Sequence, residues 1–134
     1  MAHDTTYNGI WRSTYWYPSN DHDGEDTSEY YVEAHQKGSK LVLESLPQKG
    51  EAYIVMYLTI DGDLATGVWE ETTAPDGPFQ GAMYSGAMQL LIDDDGHAMR
   101  GQWVGVGEED GVRQIYNGRW ELVRAGKDAV KEQL

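Results

Sequence analysis

Apolar and polar residues alternate with a period of two along most of this chain, and the alternation breaks wherever Gly, Pro, Asp or Ser accumulate. Side chains two apart share one face of a strand, so the pattern predicts β-structure. Eight segments result: 8–17, 27–36, 40–46, 51–60, 63–73, 78–92, 97–106 and 112–124. No stretch carries a persuasive helical period. The breaks at Lys37-Gly38-Ser39, Pro47-Gln48-Lys49-Gly50, Asp61-Gly62, Ala74-Pro75-Asp76-Gly77, Asp93-Asp94-Asp95-Gly96 and Gly107 to Gly111 are short. Their residues preset a turn or accept positive φ. Short connections join antiparallel neighbours, so the fold class is all-β, an eight-stranded antiparallel up-and-down barrel. Closure pairs the two edge strands and removes the hazard of exposed edges.

Four copies of Gly-x-Trp fall within these segments, at Gly9-Ile10-Trp11, Gly67-Val68-Trp69, Gly101-Gln102-Trp103 and Gly118-Arg119-Trp120. Each sets a missing side chain and the largest one on the same face of a strand. A tightly curved sheet wants Gly where the backbone bends or a neighbour comes close, and a flat aromatic to seal the interior. With the Trp residues inward, parity carries Ser13, Tyr15 and Tyr17 inside on the first strand. It does the same for Ala65, Glu71 and Thr73 on the fifth, Met99 and Gly105 on the seventh, and Gln114, Tyr116 and Leu122 on the eighth. Aromatic walls with scattered polar tips suit a ligand cavity better than a purely structural core, which would hold Val, Ile and Leu. The fourth strand, Tyr53-Ile54-Val55-Met56-Tyr57-Leu58, is apolar on both faces. Its outer side calls for cover by the tail or by another subunit, which points to a homodimer.

Residues 1–124 make one barrel domain and 125–134 a C-terminal tail. The Pro18 to Asp26 connection is too polar to pack and is expected to arch over one barrel mouth. Gly81 and Gly86 within 78–92 predict a bend or bulge at a barrel corner. Lys and Arg number 10 against 23 Asp and Glu, a formal charge of -13 that repels nucleic acid and anionic membrane. Cysteine is absent, which excludes a thiol nucleophile or a thiolate metal site. No stretch approaches the roughly 20 apolar residues of a bilayer-spanning helix, and a cytoplasmic protein is expected. Nine Tyr and five Trp stand against one Phe, and rings with a polar handle suit a half-wet cavity or an interface.

The Gly-x-Trp of the first strand, the meander and its repeated aromatic rhythm resemble the calycin group of lipocalins, fatty-acid-binding proteins and avidins. The likeness is architectural and brings no ligand class with it. Thr66-Gly67-Val68-Trp69-Glu70-Glu71-Thr72, Tyr84 to Asp93, Met99 to Gly105 and Gly118-Arg119-Trp120-Glu121-Leu122 are similar to an uncharacterised actinobacterial domain. That domain occurs free-standing or C-terminal to helix-turn-helix modules, which implies a sensor reporting on a small molecule.

Among candidate chemistry, Glu71 is the interior carboxylate of its strand, with Glu70 turned outward. In an apolar cavity such a group has a raised pKa and can pair with a cation or move a proton, whereas at a barrel mouth it would simply face water. His3, His22, His35 and His97 lack zinc spacing. His22 between Asp21 and Asp23 reads as a solvated loop, and Asp93-Asp94-Asp95-Gly96 as a hairpin turn rather than a calcium loop. His97 shares parity with Trp103, the one argument for an axial haem ligand. Gly105-Val106-Gly107 opens no helix and reads as a flexible hairpin rather than a phosphate cradle. No nucleophile elbow is present, and no catalytic residue, metal or cofactor is called for.

The preferred reading is a small-molecule-binding barrel of sensor or carrier type, taking a small, partly apolar and cationic ligand. Tyr15, Tyr17, Trp69, Trp103 and Tyr116 would supply the walls, with Ser13, Glu71, Gln89 and Gln114 orienting the ligand. Gln89 shares parity with Met83 rather than with any Trp. Two alternatives stay open: a cyclase or isomerase type of barrel enzyme that works by positioning its substrate, and an interaction module with a filled barrel. An enclosed space below about 300 Å³ would favour the last.

Overall fold

The computed structural model describes residues 6–18, 24–46, 52–73 and 81–126. Within them run β1 (Gly9–Pro18), β2 (Glu25–Lys37), β3 (Lys40–Ser45), β4 (Tyr53–Asp61), β5 (Leu64–Thr72), β6 (Met83–Ile92), β7 (Ala98–Glu109) and β8 (Val112–Arg124). Each strand pairs antiparallel with the next, and β8 returns to β1 from Trp11↔Arg124 to Tyr15↔Trp120. The sheet is therefore a closed barrel, the architecture expected of a calycin-like chain.

Three expected boundaries move. The second strand starts earlier, at Glu25, and the sixth starts later, at Met83, after a turn at Gly81 with φ 76°. The seventh runs through Gly105-Val106-Gly107 to Glu109, so that segment is strand and not hairpin. The reversal falls at Asp110-Gly111, both at positive φ (52° and 79°), as a tight hairpin requires. The glycines that looked like a turn instead make room for rings. A Cβ on Gly105 would lie 2.7 Å from the Trp69 ring, and one on Gly107 2.5 Å from the Tyr116 ring.

The turns expected at 47–50 and 74–77, most of the connection after Pro18, and tail residues 127–134 lie outside the described residues. Of the tail, the Ala125 N–H donates to the Ile10 carbonyl at 2.9 Å.

All four Gly-x-Trp indoles point inward and are buried. At one end of the barrel they meet an aliphatic core that includes Leu41, Leu58, Ile92 and Met99. Tyr7 and Trp11 pack across that end, with ring centres 6.4 Å apart. The opposite end gathers the C-terminus of β1 and the start of β2 with the ends of β5 and β7. Tyr15, Tyr17, Tyr30, Tyr84 and Tyr116 pack there, partly buried against the core.

Candidate functional site

The site is organised by indoles that lie sideways over glycines of the neighbouring strands. Trp69 on β5 crosses Gly86 on β6, where a Cβ would sit 2.8 Å from its Nε1, and donates that N–H to the Val104 carbonyl on β7 at 3.2 Å. Trp103 on β7 crosses Gly118 on β8 and donates to the Trp16 carbonyl on β1 at 2.9 Å. Trp120 donates to the Ser13 hydroxyl at 2.8 Å, and Trp11 to the Tyr7 carbonyl at 2.9 Å. Each indole therefore has its N–H satisfied inside the protein, which fixes the rings as wall rather than as ligand donors.

Onto this wall packs Tyr15, its ring 4.8 Å from that of Trp120 and tilted by 30°. Trp120 stands 6.0 Å from Trp69, which meets Trp103 edge-on at 5.7 Å. Tyr17 and Tyr30 flank Tyr15 at 5.6 and 6.0 Å. The aromatic cluster expected from parity thus exists. Among the described residues a cavity of about 30 Å³ lies at the Tyr-rich end, between Tyr15, Ser28, Tyr30, Ser45, Ile54 and Glu71. That volume holds one or two water molecules, far below the roughly 300 Å³ at which sites for drug-sized ligands begin.

Glu71 faces this cavity, half-buried at the end of β5, and accepts a hydrogen bond from the Tyr15 hydroxyl at 3.3 Å. Burial raises the pKa of its carboxyl, against the lowering effect of the Tyr15 hydrogen bond. The phenol of Tyr15 is also pushed up, first by burial and then by the Glu71 charge, so it stays a neutral donor. Tyr30 is pushed up by burial as well. Its buried hydroxyl makes no hydrogen bond of good geometry, and the Ser13 hydroxyl beside it, which holds the phenol's pKa down somewhat, accepts the Trp120 N–H while keeping its own O–H. Thr73, two residues beyond Glu71 on the same face, has a second buried hydroxyl without a partner. A half-buried carboxyl beside a neutral phenol and an unanswered hydroxyl can hold a small cation or shuttle a proton.

Of the residues expected at the site, the structure brings together Ser13, Tyr15, Tyr17, Trp69, Glu71 and Trp103. Tyr116 packs against the same core, its ring over Gly107. Gln114 lies on the inward parity but at the exposed start of β8. Gln89 does not join them, because the inward face of β6 carries Tyr84, Gly86, Met88, Leu90 and Ile92. It sits outside and donates to the Thr66 hydroxyl at 3.0 Å. His97 precedes β7, exposed beside Asp95 at 3.6 Å, and cannot reach the interior as a haem ligand. The Asp93 and Asp95 carboxylates there accept backbone N–H groups of His97 and Ala98, as in a hairpin turn. Among the described residues no cluster of three His, Asp or Glu could hold a metal ion.

Parity missed Tyr30 and Ser28, since the second segment contains no Trp to fix its face. The signal was present in Val32 and Ala34, buried on the same parity as both. Compared with models of known protein families and with curated proteins, the chain matches none.

Proposed function

We propose that this barrel binds a small molecule at its Tyr-rich end, through an ammonium or similar cationic head group seated against Glu71. The observation that carries the reading is the buried, unpartnered hydroxyl of Tyr30 beside the Tyr15–Glu71 pair. An unsatisfied buried hydroxyl costs about 1–3 kcal/mol, and an entering N–H donor would relieve it. An ammonium would then donate to Glu71 and Tyr30 while the face of Tyr15 or Tyr17 attracts its charge. Only a head group fits the space of about 30 Å³, so the apolar body would lie outward past the rim of that space, where Leu46 and Ala52 line it. The kinship with the actinobacterial domain is part of this proposal, because a domain coupled to DNA-binding modules suits a sensor.

Calorimetric titration with methylammonium, tetramethylammonium and benzylammonium tests it. Binding of benzylammonium by the native chain, abolished in Glu71→Gln, supports the site. Equal binding by that variant removes Glu71 from it. The narrowness of the cavity favours a second reading, a filled barrel that serves as an interaction module, and no binding of any amine would select it.

A further inference from the structure

The outer surface of the barrel carries an apolar row that the interior does not explain. Val42, Tyr57, Val68, Ala87 and Val104 are directly paired neighbours across β3 to β7. Tyr57 is 44% and Val68 48% exposed, although Tyr, Val and Ala on adjacent strands build a continuous hydrophobic band. A band of this kind on a soluble chain marks a contact surface.

Charge decides what can sit there. Two residues along each strand towards the Tyr-rich end lie Glu44 on β3 and Glu33 on β2, paired with each other. Two residues the other way lie Lys40 and Lys37, also paired. The band therefore runs between an acidic border and a basic one. The Glu44 carboxylate is held in place by the Tyr53 hydroxyl, and the Lys40 ammonium donates to the Thr59 hydroxyl at 3.0 Å. With a net charge of -13, most faces of this chain repel a second copy. A two-fold axis laid along the band inverts strand direction. It stacks Tyr57 on its own copy and brings Glu44 against Lys40 of the facing chain. Glu70 meets Thr66 and Val55 meets Thr59 in the same operation, so no like charges oppose across β3 to β5.

We infer that a second copy of this chain docks on the outer face of β3 to β5 about that axis, forming an isologous dimer. The two convex walls meet along β4, with β3 and β5 at its flanks. This surface points away from the Tyr15–Glu71 cleft, and its test is independent of any ligand.

Sedimentation equilibrium of the full chain at micromolar concentration should show a dimer. Val68→Asp should raise the dissociation constant at least about tenfold, as expected for a charge at the centre of an interface. Its circular dichroism melt reports that the barrel still folds. Lys40→Glu and Glu44→Lys lie on the exposed border, where folding is not at stake. Each alone should weaken the dimer roughly threefold or more, and the double variant should return to within about twofold of the native chain. A monomeric native chain, a dimer indifferent to Val68→Asp, single variants without effect, or a double variant that fails to recover would each overturn the proposal.

Discussion

The guanidinium of Arg124 lies 4.8 Å from the centre of the Trp11 ring, and the pair closes the end of the barrel away from the Tyr15–Glu71 cleft. The same guanidinium donates to the carbonyls of Thr6 at 2.6 Å, Asn8 at 3.0 Å and Gly96 at 3.4 Å. It thereby ties the segment before β1 to the turn before β7, across the β8–β1 seam that closes the sheet. Three charge-assisted bonds and a cation–π contact, discounted for partial exposure, amount to roughly 2–3 kcal/mol. Arg124→Ala should lose that much in urea unfolding. Arg124→Lys should recover less than half, because an ammonium cannot stack on an indole and fork to three carbonyls together. A loss under about 0.5 kcal/mol for the alanine variant would place the closure elsewhere.

A Cβ at Gly86 would stand 1.9 Å from the Val104 carbonyl oxygen and 2.8 Å from Trp69 Nε1. Neither neighbour can yield, since one is backbone and the other is the hydrogen-bonded edge of a buried indole. Gly86→Ala should therefore cost at least about 3 kcal/mol and shift the tryptophan emission as Trp69 leaves its seat. Gly126→Ala is the control, since nothing lies within 4 Å of a Cβ there, and it should stay within about 0.5 kcal/mol of the native chain. Equal effects in the two variants would dismiss the steric argument.

These glycines also explain what could be read ahead of the structure. Strand number, order and closure follow from local alternation and short turns, and the inward Trp faces follow from parity, so both were legible. Gly105 and Gly107 were misread as a turn because their purpose is non-local: they clear space for Trp69 from β5 and Tyr116 from β8. The site was legible in part for the same reason. Tyr15 and Glu71 lie 56 positions apart, yet both share a parity with an inward Trp. Tyr30 shares its strand with no Trp, and only the apolar Val32 and Ala34 mark its face before Ser13 is paired opposite it. The narrowness of the cavity depends on how Tyr15, Tyr30 and Ile54 from three strands converge with Glu71, which no alternation pattern encodes.

Burial raises the Glu71 carboxyl from its ordinary value near 4.5, so the folded chain binds this proton more tightly than the unfolded chain does. The stability so contributed is complete below that ordinary value and is lost as pH rises through the raised one. At neutral pH the ionised group is thus a net burden on the fold. Glu71→Gln keeps an oxygen for the Tyr15 hydroxyl and removes the charge. It should melt above the native chain near pH 7, with the gap closing near pH 4. Thermal melts of both chains at the two pH values measure this, and a gap that widens on acidification would contradict the burial of Glu71.

Cation binding should follow the opposite pH course, because only the ionised Glu71 attracts an ammonium. Benzylammonium affinity is expected to fall as pH drops through the raised Glu71 value, with the amine itself protonated throughout. Titrations at stepped pH check it, and affinity that stays flat from near pH 7 to near pH 4 would show that the carboxylate takes no part.

Tyr30→Phe separates the needs of the fold from those of the site. The hydroxyl is buried without a partner, so it contributes a desolvation penalty and no bond in the unliganded chain. Its removal should raise the urea midpoint, by about 1 kcal/mol of stability, without a change in m-value. The same removal takes away the acceptor that the proposed ammonium needs beside Glu71, and benzylammonium affinity should drop about fivefold to tenfold, as for one lost hydrogen bond. A variant that gains stability and loses affinity marks a group retained for binding at the expense of folding. Lost stability would mean that a water or the Ser13 hydroxyl already satisfies Tyr30 in the free chain, and the case for a ligand there would fall with it.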